Sequence, residues 1–98
     1  MTVRNKTADL IYSLMVLTSS NKVKTAAIKV MDAIQDDKVE NQVLGLAACL
    51  VVMLNHYGLS ATDALGIADT IVYSDENNNM LPEFKAINNY MKDEWQIG

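Results

Sequence analysis

Twelve consecutive residues, Val43 to Leu54 (VLGLAACLVVML), carry no charge, amide or hydroxyl on any side chain. Wound into a helix, such a run is apolar on every side, and a helix of that kind asks for neighbours all around it. The run is shorter than the roughly 20 residues a helix needs to span a bilayer. It therefore predicts the buried, central helix of an all-α bundle and no membrane span. With its polar lead-in, this third helix extends from about Lys38 to Tyr57, and Gly58 supplies the left-handed residue that commonly ends a helix. Gly45, Ala47, Ala48 and Cys49 are small, so a neighbouring helix is able to approach the backbone there. Cys49, the chain's lone cysteine, makes no internal disulfide and reads as a buried, unreactive thiol, which fits a cytoplasmic protein.

The rest of the chain supplies candidates for those neighbours. Its 98 residues suffice for one domain, 1–98, with a single modest core. Only 6% of them are aromatic, so Leu, Ile, Val, Met and Ala must fill that core, as they do between helices. A first helix is predicted from about Thr7 to Thr18, with Val3, Leu10, Leu14 and Leu17 as its stripe and Ile11 and Met15 widening it. After the break TSSN, a second helix starts at Asn21. Its apolar positions Val23, Ala26, Ala27, Val30, Met31 and Ile34 keep helical spacing throughout. Ser60 and Asp63 form a capping-box-like start for a fourth helix that ends near Tyr73. Beyond the polar loop SDENNN, Pro82 opens a fifth helix toward Trp95, with Phe84, Ile87, Met91 and Trp95 in a narrow stripe and Tyr90 beside it. The expectation is a compact bundle of four to five short helices, the last one docked on its own domain or on a second copy.

Charge narrows the functional classes. The net charge is −4 and the pI about 4.7. No Lys or Arg occurs between Lys38 and Lys85, while Glu40, Asp63, Asp69, Asp75, Glu76 and Glu83 do. A surface built there repels phosphate and attracts a basic protein. This matters for the stretch NHYGLSATDALGIAD, whose Gly-Leu-Ser junction looks like a helix-turn-helix. The supposed recognition helix, Ala61 to Tyr73, offers Asp63 and Asp69 and no cation, and Leu54 stands where the common pattern has Ala. A capped helical hairpin is the better reading, and nucleic acid is not the expected partner.

Catalytic and metal chemistry find no constellation. His56, the only histidine, reads as a helix-end residue meeting the carbonyl dipole, with Cys49 two turns away. One His, one Cys and scattered carboxylates do not make a zinc site. Asp75, Asn77 and Asn79 imitate the start of a calcium loop, but Met80 and Ala86 occupy the positions of its glycine and its bidentate glutamate. Arg4 and Lys6 before LIYSLMVL loosely imitate a secretory signal, which Asp9 interrupts and no cleavage pattern follows. No catalytic residue, cofactor or metal is expected, and the protein is read as a non-enzyme.

The segment VENQVLGLAACLVVMLNHYGLSATDAL, followed after a loop by PEFKAINNYMKDEW, resembles small helical proteins encoded by tailed bacteriophages. The resemblance covers the carboxy-terminal two-thirds and carries over no catalytic residue. It implies an accessory protein acting in the cytoplasm of an infected cell by binding a host or phage protein. The leading expectation is a protein-binding module that also self-associates, with Asp63, Asp69, Phe84, Tyr90, Met91 and Trp95 as its interaction residues. The alternative is a dimeric helix-turn-helix regulator that binds DNA. A small-molecule pocket between protomers has no residue signature.

Overall fold

The computed structural model describes residues 6–74, 77 and 79–95. Among them are five helices and no strand: α1 (Lys6–Leu17), α2 (Ser20–Ile34), α3 (Val39–Tyr57), α4 (Ala61–Val72) and α5 (Pro82–Glu94). The molecule is a small all-α bundle, and its helix ends lie within about one residue of those read from the sequence.

Each junction is fixed by a local device. The Ser19 hydroxyl accepts a hydrogen bond from the Lys22 N–H at 3.4 Å and caps α2. Between α2 and α3 the buried Gln42 amide donates to the carbonyls of Ile34 (3.0 Å) and Gln35 (3.3 Å), satisfying the exposed end of α2. Gly58 ends α3 with φ 70° and ψ 30°. There the Gly58 N–H donates to Asn55 O at 3.3 Å and the Leu59 N–H to Leu54 O at 2.8 Å, the paired bonds of a Schellman stop. Two residues later Ser60 caps α4 by accepting from the Asp63 N–H at 3.3 Å. Across the loop that follows α4, the Leu81 N–H donates to Val72 O at 2.8 Å, bringing its two ends together just before Pro82 starts α5.

Packing is pairwise: α1 lies against α4, and α2 against α5. The extents are 44 × 33 × 20 Å, so the molecule is about two helices thick. Its radius of gyration is 14.9 Å, where a fully packed chain of this length has about 13 Å. The buried apolar residues are Ala8, Met31, Leu54, Ala64 and Phe84, and no large side chain among the described residues is completely enclosed.

Three expectations need correction. First, α3 is not surrounded. Only Gln42 and Leu54 of this helix are buried, while Leu44 and Val52 are each 69% exposed. The strongest helix contacts are α1 with α4 and α2 with α5, so among the described residues α3 is touched only lightly along one stripe. Second, Cys49 is exposed, since it sits on that uncovered helix. Third, α1 turns Ala8, Ile11, Tyr12 and Met15 inward and leaves Leu10, Leu14 and Leu17 outside, Leu17 at 80% exposure. The leucines have helical spacing, but α4 lies against the neighbouring face. Val3 and Arg4, Asp75 of the calcium-like loop, and Glu76 of the expected acidic surface lie outside the described residues.

The two glycines Gly58 and Gly66 should respond oppositely to alanine. Gly58→Ala puts a Cβ in left-handed backbone and should cost about 1–2 kcal/mol. A Cβ at Gly66 meets nothing within 4 Å, so Gly66→Ala should gain about 1 kcal/mol of helix stability. Urea unfolding at one fixed chain concentration reads both signs.

Candidate functional site

The largest chemical anomaly of the fold is the surface of α3. A helix advances 100° per residue, so Gln42, Leu46, Leu50 and Leu54 form one stripe. Gln42 and Leu54 are buried there, Leu50 is half-buried and Leu46 remains 48% exposed. The opposite stripe is Leu44, Ala48 and Val52, all exposed. Gly45 lies beside it, and a Cβ there meets nothing within 4 Å. Val43 and Val51 add further exposed apolar area at 62% and 54%. Patches of several hundred Å² on a small protein mark docking sites.

Toward its carboxy-terminal end α3 carries a shallow depression of about 540 Å³ lined by Ala48, Cys49, Val52, Met53, His56 and Tyr57. The His56 and Tyr57 rings meet edge to face with centroids 4.8 Å apart. Cys49 and His56 share this surface but are separated by about 10 Å of helix rise, beyond nucleophile-to-base reach. Among the described residues no three His, Cys, Asp or Glu side chains gather as metal ligands.

The anticipated interaction residues divide among separate places. Asp63 lines an open groove of about 660 Å³ between α1 and α4, with Tyr12, Val16, Gly66, Ile67 and Thr70. Asp69 is six residues further along α4, about 120° around it, and is exposed on another face. Glu83 lies in the groove between α2 and α5, near Lys24 and Asp32. Its Oε2 atom is buried without a hydrogen-bond partner among the described residues. Asp63, Asp69 and Glu83 thus do not merge into one patch.

The aromatic end of α5 is occupied by its own chain. Phe84 is buried, and the Tyr90 hydroxyl donates to Gln35 Oε1 at 3.2 Å. Met91 and Trp95 line a cleft of about 730 Å³ at the α2–α3 corner, with Gln35, Lys38 and Gln42. These residues join α5 to α2 and the corner that follows it.

Two residues that hold the arrangement were not singled out for that role from the sequence. Tyr12 reaches from α1 to the α3–α4 turn, where its hydroxyl oxygen accepts the Ser60 N–H at 2.6 Å. Gln42 is the amide that ties α2 to α3. The available signals were a single tyrosine within a leucine-rich helix and an amide one position before the apolar run.

The α3–α4 hairpin has the turn of a DNA-reading motif, but the outer surface of α4 carries Leu65 and Asp69 and no Lys or Arg. No family model, no curated protein and no solved structure matches the chain.

Removing either tie should loosen the frame that presents α3. Tyr12→Phe should cost about 1 kcal/mol and Gln42→Leu about 1–2 kcal/mol, because each removes hydrogen bonds that tie two helices together. Chemical denaturation measures both losses, and the helix content by circular dichroism should stay unchanged.

Proposed function

We propose that the protein is a non-enzymatic protein-binding module, a phage-encoded accessory protein that acts in the host cytoplasm on a host or phage protein. The observation that supports this reading is the pair of unpartnered apolar helix faces, Leu44–Val52 on α3 and Leu10–Leu17 on α1. Water is a poor neighbour for such faces, and helix-in-groove docking uses residues at this spacing. Asp63, in the α1–α4 groove, and Asp69, on another face of α4, add separate points of charge selection away from α3, favouring basic groups on a partner of α1 and α4 and speeding encounter more than strengthening the complex. The phage setting draws on the likeness of the α3–α4 and α5 segments described from the sequence. The DNA-binding alternative gains no support from a helix α4 without cations.

The full chain, immobilised and exposed to bacterial lysate, tests the reading. A specifically retained protein should be lost with Leu14→Glu at unchanged helicity, and weakened by Asp63→Lys with Asp69→Lys as salt rises. Retention of duplex DNA in place of protein, or no difference between wild type and Leu14→Glu, would overturn it.

A further inference from the structure

We infer that the occupant of the α3 face is a second copy of this chain, laid antiparallel with a two-fold axis at Ala48. The inference rests on the reading of α3 as a docking face and names what docks there.

Area is the first argument. The chain exposes 7545 Å², whereas a compact monomer of 10.8 kDa exposes about 5,500 Å². The excess is about 2,000 Å² per chain, shared between α1, α3 and the open grooves, and a standard stable interface needs roughly 800 Å² of it per partner. A chain with no fully enclosed large side chain among its described residues resembles a domain core cut in half, which is the anatomy of obligate homodimers.

Charge selects the partner. A chain of net charge −4 meeting its own copy generally sets like charge against like. Residues 41–62 contain no Asp, Glu, Lys or Arg, so α3 beyond Glu40 is a face on which two copies meet without that penalty. A basic partner would gain nothing there.

The sequence of the outer stripe sets the register. About Ala48, Leu44 and Val52 stand at −4 and +4, and Asn41 and Asn55 at −7 and +7; all five are exposed. A two-fold axis perpendicular to the helix places Leu44 against the second copy's Val52, and Asn41 against the second copy's Asn55. Two amides are mutually complementary, each offering donors and an acceptor. Gly45 fits the same geometry. A mid-helix glycine costs about 1 kcal/mol against alanine, and nothing in its own chain comes within 4 Å of its missing Cβ. A second helix axis 8–10 Å away would use that space.

Lipid is the competing occupant, because the 19 residues of α3 have the length and composition of a membrane-crossing helix. The experiment separates the two. In a Cys49→Ser background, Ala48→Cys should form a disulfide-linked dimer under mild oxidation at micromolar concentration. Leu44→Cys should not, since antiparallel copies place those residues about 12 Å apart along the axis. Val52→Glu should weaken dimerisation roughly 100-fold or more by sedimentation analysis, because it buries an unpaired charge in the seam. Should Val52→Glu prevent folding, the cysteine pair decides alone.

Stronger coupling through Leu44→Cys than through Ala48→Cys would overturn the antiparallel register. A wild-type chain that sediments as a monomer, or floats with phosphatidylcholine vesicles while Ala48→Cys stays uncoupled, would overturn the dimer. The module reading survives a monomer if Leu14→Glu still abolishes capture of another protein, so the two can fail separately.

Discussion

A helix with apolar side chains on every side cannot be satisfied by one neighbour, and that requirement governs this molecule. The chain spends its other four helices in two pairs, α1 with α4 and α2 with α5, which leaves α3 as the bridge between them. Its contact stripe is one residue wide: Gln42, Leu50 and Leu54 turn inward while most of the helix meets water. Burial of apolar area is the dominant favourable term in folding, so the uncovered part of α3 is a large reserve of stabilisation that one chain does not realise.

Polar bonds at its ends set the geometry of the frame around α3. Gln42 fastens the start of α3 to the end of α2, while the Schellman turn at Gly58 and the cap at Ser60 redirect the chain into α4. Tyr12 then secures that turn from α1. Each bond contributes only about 1 kcal/mol, but each also fixes an angle, and together they present α3 as a defined surface. The three grooves beside the helix pairs are open, and their acidic residues lie on separate faces.

Local structure was legible in the sequence because its signals are local. Ser60 with Asp63, Gly58 and Pro82 mark helix ends through backbone geometry and hydrogen bonding that need only nearby residues. Pairing was less legible, because periodicity shows that a helix has an apolar face without showing what meets it. In α1 the leucines at 10, 14 and 17 and the row Ala8, Ile11, Met15 are both apolar, and only the position of α4 separates them. The apolar run of α3 implies enclosure for the same reason: composition states a demand, while topology decides whether one chain meets it. Cys49 followed its helix into the open.

The two ties that span the sequence, Tyr12 to Ser60 and Tyr90 to Gln35, join residues 48 and 55 positions apart. The pairs they secure are interleaved, since α2 and α3 lie between α1 and α4, while α3 and α4 lie between α2 and α5. A chain leaving the ribosome therefore completes neither pair early: α1 waits for α4, and α2 waits for α5. During that interval the nascent chain displays the leucines of α1 and the whole of α3 to whatever is nearby. The pairing of α3 inferred above would then have its first opportunity on neighbouring ribosomes of the same message, which hold identical helices at high local concentration.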